Sequence, residues 1–196
     1  METECITSAF DFQPLGNREV TARFDGGLIS SDGGGVLLRE VEERFGFLEK
    51  LSRCFTDYRD PKQIEHPLVD LLKQRVFGLC LGYEDLNDHD TLRHDPLLAM
   101  IVGKADPLGA TRDNPQDRGK ALAGKSTLNR LELSPPGANE KSRYKKIAAQ
   151  MHKVHEFFVE AFLDQHPAPP QRIVLDFDAT DDPVHGNQLG RFFHGY

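Results

Sequence analysis

Near the end of the chain, Arg172-Ile173-Val174-Leu175-Asp176-Phe177-Asp178-Ala179-Thr180-Asp181-Asp182-Pro183 runs three apolar residues into two alternating carboxylates. Pro169-Pro170 blocks regular structure before it, and Asp182-Pro183 signals a turn after it. The pattern predicts a short buried strand from Ile173 to Asp178. Side chains alternate across a strand, so Asp176 and Asp178 leave on the same face. Two crowded carboxylates are costly unless they bind a cation, share a proton or reach solvent. Such a pair suits a divalent metal, Mg²⁺ or Mn²⁺, held through hard oxygen ligands. The plainer alternative is a strand end whose aspartates merely begin a turn.

A second chemistry lies in the middle of the chain. Net charge is −7, which argues against a nucleic-acid binder. Yet Thr111 to His155 holds ten Lys or Arg against four acids. Lys125, Arg130, Lys141, Arg143, Lys145 and Lys146 are the candidates to contact phosphate; a solvated helix face is the alternative. His89-Asp90 recurs as His94-Asp95 inside a segment dense in His and Asp. Imidazole and carboxylate are common metal ligands, but the spacing fits no defined metal motif. Asp and Asn side chains capping short helices explain it better. Gly33-Gly34-Gly35 lacks the Lys-Ser/Thr of a phosphate-cradling loop and reads as a flexible start to a helix.

The elements that must position these residues follow from periodicity. Val20 to Phe24 alternates as a half-buried strand. A helix capped by Ser30, Ser31 or Asp32 carries Val36, Leu37, Val41 and Phe45 on its apolar side. The clearest helix follows Pro67, with Leu68, Leu71, Leu72, Val76 and Leu79 as a core stripe and Gly82 just past its end. Residues 103–119 are a loop rich in Gly, Pro, Asp and Asn. A short helix over Lys125–Glu132 is capped by Ser126. A long helix is predicted from Glu140 to Asp164, capped by Asn139. Its apolar side holds Tyr144, Ile147, Ala148, Met151, His155, Phe158 and Phe162, with His152 and His155 as packed or surface residues. His166-Pro167-Ala168-Pro169-Pro170 is the clearest boundary. Val184 to Gln188 reads as a turn, and Gly190 to Tyr196 as the start of a second strand. Three well-separated cysteines (Cys5, Cys54, Cys80) imply neither a zinc ribbon nor a disulfide framework and fit a reducing compartment. No apolar run reaches the length of a membrane span.

Three segments in this order resemble the DDE-type transposases of bacterial insertion sequences, the transposase DDE domain group 1. They are Phe24-Asp25-Gly26-Gly27-Leu28-Ile29-Ser30-Ser31-Asp32-Gly33-Gly34, Gly82-Tyr83-Glu84-Asp85-Leu86-Asn87-Asp88-His89-Asp90-Thr91-Leu92-Arg93-His94-Asp95-Pro96-Leu97, and Leu175-Asp176-Phe177-Asp178-Ala179-Thr180-Asp181-Asp182-Pro183-Val184-His185-Gly186. Lys125-Ser126-Thr127-Leu128-Asn129-Arg130-Leu131-Glu132 is similar to the segment before that family's catalytic domain. The resemblance covers nearly the whole chain. It implies an α+β protein: a mostly helical DNA-binding region over residues 1–166, then over 171–196 the first strands of a truncated ribonuclease-H-like domain. It also implies metal-dependent cleavage and strand transfer at transposon ends, using two Asp and one Glu around two Mg²⁺ or Mn²⁺ ions. The family's Asp-x-Thr context matches Asp178-Ala179-Thr180, which assigns the first catalytic and metal-binding carboxylate to Asp178, with Asp176 as the second candidate.

The resemblance places the second Asp and the Glu on later elements, so the chain is expected to act as an N-terminal fragment, inactive alone and unable to bind its metals fully. Implied partners are double-stranded DNA and either a second copy or a full-length transposase, in the cytoplasm at the bacterial nucleoid. Two alternatives stay open. One is a non-catalytic DNA-binding or interfering protein. The other is a haloacid-dehalogenase-like phosphatase fragment, with Asp176 as nucleophile and Asp178 as general acid and base.

Overall fold

A computed structural model describes residues 9–23 and 31–177. The chain opens with a hairpin, β1 (Phe10–Leu15) and β2 (Arg18–Ala22), paired antiparallel with Phe12 opposite Val20. Gly16, at φ +57°, and Asn17 make its turn. The predicted strand is thus one of two, and Phe24 lies outside the described residues. Helices α1 (Gly35–Phe45) and α2 (Phe47–Ser52) follow, then β3 (Phe55–Asp57) and α3 (Leu68–Cys80). Next come α4 (His89–Leu92), α5 (Pro96–Val102) and α6 (Lys125–Glu132). Strand β4 (Ile147–Ala149) and α7 (Met151–Leu163) complete the described elements. Seven helices and two two-stranded sheets make an α+β protein among the described residues.

Helix α3 links two apolar clusters. Phe77 joins Val36, Leu48, Leu98, Ile101, Val102 and Leu122 on one side. Leu71 and Leu72 join Leu128, Leu131 and Ile147 on the other. The stripe read from the sequence therefore sits at the centre of the molecule, and Leu79 alone of it stands exposed. Gly35 is explained by packing: a Cβ there would lie 2.8 Å from Ile101 Cδ1, so α1 can approach α5 only without a side chain.

Helix α1 turns a different face inward than its apolar residues suggest. Leu37, Val41 and Phe45 are exposed, whereas Arg39 and Glu42 are buried beside Val36. Partners distant in sequence explain the inversion. Arg39 donates to the carbonyls of Gln13 (2.7 Å) and Pro14 (3.3 Å), tying α1 to the hairpin. Glu42 accepts the backbone N–H groups of Leu48 (2.8 Å) and Glu49 (3.1 Å), capping α2. Buried charges are tolerated when they are hydrogen-bonded in this way.

The predicted long helix is shorter. Residues 140–146 form turns, Ile147–Ala149 is a strand, and only Met151–Leu163 is helical. Ile147 is buried in the second cluster, and β4 pairs with β3 in the register Phe55–Ala149, Thr56–Ala148 and Asp57–Ile147. Those ladder bonds compete with helix and win because they bury Ile147. Asn139 caps a turn through Lys141 N–H rather than a helix. Helix α7 buries Phe157, while Met151, His152, His155, Phe158 and Phe162 face solvent. Residues 172–177 form no strand, contrary to the reading of Ile173 to Asp178: Ile173, Val174, Leu175 and Phe177 are all exposed. A strand needs a neighbour for its N–H and C=O groups, and none of the described strands pairs with this stretch. Asp178 and everything after it lie outside the described residues.

The centre of the fold is polar. Gln74 Nε2 donates to Ala123 O (2.7 Å), and Gln74 Oε1 accepts from Ala123 N–H (3.0 Å). The same Nε2 lies 3.1 Å from His89 Nδ1, which must then accept, so His89 carries its proton on Nε2. Gln74→Leu is expected to strand both backbone groups of Ala123 and to cost on the order of 3 kcal/mol, read as a lower midpoint in urea unfolding. A second expectation concerns pH. Burial, reinforced by Arg75, lowers the His89 pKa to about 4; burial with Lys104, Arg112 and Arg59 lowers that of His66 to about 3. Both stay neutral when folded while the unfolded imidazoles protonate near 6.5. Their contribution is therefore complete above the unfolded value and is lost as pH falls through it toward about 4. Urea melts across that window should show stability declining by at most about 1.4 kcal/mol per pH unit for each histidine.

A candidate nucleic-acid interface

Helix α6 is held by contacts that precede it in sequence. Gln74 fixes Ala123, and the next residue, Gly124, is the N-cap. A Cβ on Gly124 would lie 2.9 Å from Asp90 Oδ1 and 3.0 Å from Arg93 Nη1. The missing side chain lets Asp90 Oδ1 accept the Lys125 N–H at 3.1 Å, so a carboxylate caps α6 from another helix. Ser126, expected to be the cap, is instead inside the helix. Lys125 Nζ donates to Asn87 Oδ1 (3.1 Å) and pairs with Asp90 Oδ2 (3.4 Å).

The same segment resolves the His–Asp repeat. Asp85 caps the turn at Leu86–Asp88, and Asp95 caps α5 through Leu97 and Leu98 N–H. His89 is locked by Gln74, and His94 Nδ1 lies 2.7 Å from Gly119 O. Each group has a structural task. Among the described residues, no set of three or more His, Cys, Asp or Glu could hold a metal ion.

With Leu128 and Leu131 buried, α6 turns Lys125, Ser126, Asn129 and Arg130 toward a cleft of about 510 Å³. Leu86 and Asn87 form one edge, and Tyr144 and Lys145, from the turn before β4, form the other. Tyr144 is 55% exposed and has two guanidinium groups over its ring, Arg130 at 5.4 Å and Arg143 at 4.8 Å from the ring centre. A second cleft, about 300 Å³, shares Arg130 and Tyr144 with the first and is also lined by Arg59, His66, Thr127, Arg143 and Lys146, with Asp60 and Glu65 at its wall.

The fold thus gathers five of the six expected cations. Lys125, Arg130 and Lys145 line the first cleft; Arg130, Arg143 and Lys146 line the second; Lys141 lines neither. Arg130, Arg143, Lys145 and Lys146 have no carboxylate partner among the described residues. Nearby acids are engaged elsewhere: Asp57 chelates Arg59, Glu65 pairs with Arg112, and Glu132 pairs with Arg75. Tyr144 and His66 were not expected at this site. An aromatic inside Arg143-Tyr144-Lys145-Lys146 was the available signal, hidden because Tyr144 sits at helical spacing from Ile147 and Met151.

Of the two expected metal carboxylates, Asp178 lies outside the described residues. Asp176 is exposed in the strandless stretch that ends the described residues.

No curated protein and no solved structure matches this chain. The sequence pattern of one family, described as transposase DDE domain group 1, matches residues 12–196, nearly the full length. With that match, the chain belongs to the transposase DDE domain group 1 family, whose substrate is DNA.

Proposed function

We propose that residues 31–166 are the DNA-gripping part of an insertion-sequence transposase and that α6 with the Tyr144 turn contacts double-stranded DNA at transposon ends. The carrying observation is the convergence of Arg130, Arg143, Lys145 and Lys146, without carboxylate partners, around one exposed tyrosine. Unpaired cations at a concave surface attract phosphate and release its counterions on binding. Asn129 and Ser126 sit among them on α6 and supply neutral donors and acceptors of the kind that contact base edges or sugars.

Metal-dependent strand transfer with Mg²⁺ or Mn²⁺, in a ribonuclease-H-like catalytic domain, is the activity that goes with this family. From the motif Leu175-Asp176-Phe177-Asp178-Ala179-Thr180 we assign its first carboxylate to Asp178, with Asp176 as the alternative.

Reversing charge at Arg130, Arg143, Lys145 and Lys146 together is expected to weaken binding to duplexes of any sequence by at least about a hundredfold at low salt. The slope of log affinity against log salt should flatten by about 0.9 for each phosphate that is no longer neutralised. Lys141→Glu, outside both clefts, should change affinity far less. Fluorescence anisotropy with a labelled duplex over a salt series measures all of these. An unchanged slope in the fourfold variant sinks the proposed face.

A further inference from the structure

We propose that the smaller cleft, between Arg130, Arg143, Lys146, Thr127 and His66, is a binding site for a single phosphate group whose occupancy takes up a proton on His66. It deepens the DNA-gripping reading, because it shares three cations with that face, but it rests on its own geometry.

The cleft holds about 300 Å³, room for one tetrahedral anion and its waters rather than for a helix of DNA. Its donors are varied: guanidinium forks from Arg130 and Arg143, an ammonium from Lys146 and a hydroxyl from Thr127. Forked and point cations together suit a phosphate with several acceptor oxygens. The two acids at the wall offset this set only in part. Asp60 accepts the Lys62 N–H, and Glu65 pairs with Arg112. Arg59 is already chelated by Asp57 and donates to His66 O at 3.0 Å, so it acts as a strut rather than a free cation.

His66 is the independent observation. It is 7% exposed, lines this cleft, and its buried Nδ1 has no hydrogen-bond partner. Arg39 Nε, His89 Nε2, Arg93 Nε and Arg112 Nε are also buried without a partner among the described residues, but of these five atoms only that of His66 belongs to a residue lining this cleft. The charged groups around the ring are mostly cationic, Lys104, Arg112 and Arg59, with Asp117 the opposing carboxylate. Asp60, Glu65, Arg130, Arg143 and Lys146 face it from the rest of the cleft wall. Burial, with these cations, keeps the imidazole neutral. A doubly negative oxyanion beside it reverses that field, and the ring gains a proton as the anion enters. By linkage the anion then binds more tightly as pH falls.

Sulfate is a suitable probe because it keeps its charge throughout the histidine range. The His66 ring resonance of the full-length chain is followed by NMR while sulfate is added at about pH 7 and about pH 6. The expected result is a saturable shift of His66 toward imidazolium, with affinity rising by up to about tenfold per pH unit. Arg143→Ala, an exposed position, should weaken that binding at least about fivefold. His66→Gln should keep binding and lose its pH dependence; should that variant not fold, the wild-type resonance alone decides. A His66 resonance that sulfate leaves neutral and unmoved overturns the site.

Competition with duplexes separates the sources of phosphate. Displacement of sulfate only by a duplex with a terminal 5′-phosphate identifies a DNA end, displacement by any duplex identifies the backbone, and displacement by neither leaves free phosphate as the ligand. Duplex binding without any sulfate effect removes this site and spares the DNA face. Sulfate binding without duplex binding does the reverse.

Discussion

The two hydrogen bonds between the Gln74 amide and the Ala123 backbone are the constraint on which the rest of the structure depends. Ala121, Leu122 and Ala123 pass through the interior, each no more than 4% exposed. An interior segment without helix or sheet has no automatic partners for its peptide groups. Gln74 supplies both a donor and an acceptor, as a neighbouring strand would. The same amide orients His89, and the residue after His89 caps α6. One buried side chain on α3 thereby sets where α4 sits, where the strap runs and where α6 begins. The cations of α6 point into a cleft only because that starting point is held.

Charge is handled by the same logic of partnership. The chain is acidic overall, yet several of its acids are engaged by partners within the fold. Glu42 caps α2 and lies near Lys73, Asp70 holds Lys104, and Glu132 holds Arg75. Four of the cations left without carboxylates, Arg130, Arg143, Lys145 and Lys146, gather around Tyr144. An acidic protein can therefore carry a positive surface, and the sign of the total says little about the sign of one face.

Hydrophobicity and burial part company on two helices. In α1 the interior is reached by Arg39 and Glu42, because the hairpin carbonyls and the free N–H groups of α2 lie there. Leu37, Val41 and Phe45 are left outside. In α7 a single phenylalanine, Phe157, packs inward and the stripe of Met151, Phe158 and Phe162 is exposed. Periodicity found both helices, began the second too early, and of the apolar side it assigned to the first only Val36 is buried.

What the sequence determined by itself was local. Pro67 and Gly82 bracket α3, Asp95 caps α5 through the peptide groups next to it, the loop over 103–119 follows from its glycines and prolines, and three motifs in order carry the family. These features act over a few residues, so a short window holds all the physics they need. Only the tertiary structure decided that Ile147 leaves a helical pattern to pair with Phe55–Asp57, that a carboxylate on α4 caps α6, and that Arg130 of α6 comes over the Tyr144 ring. In each case the deciding partner lies far along the chain, and the energy of burying Ile147 or satisfying a peptide group exceeds the weak local preference it displaces.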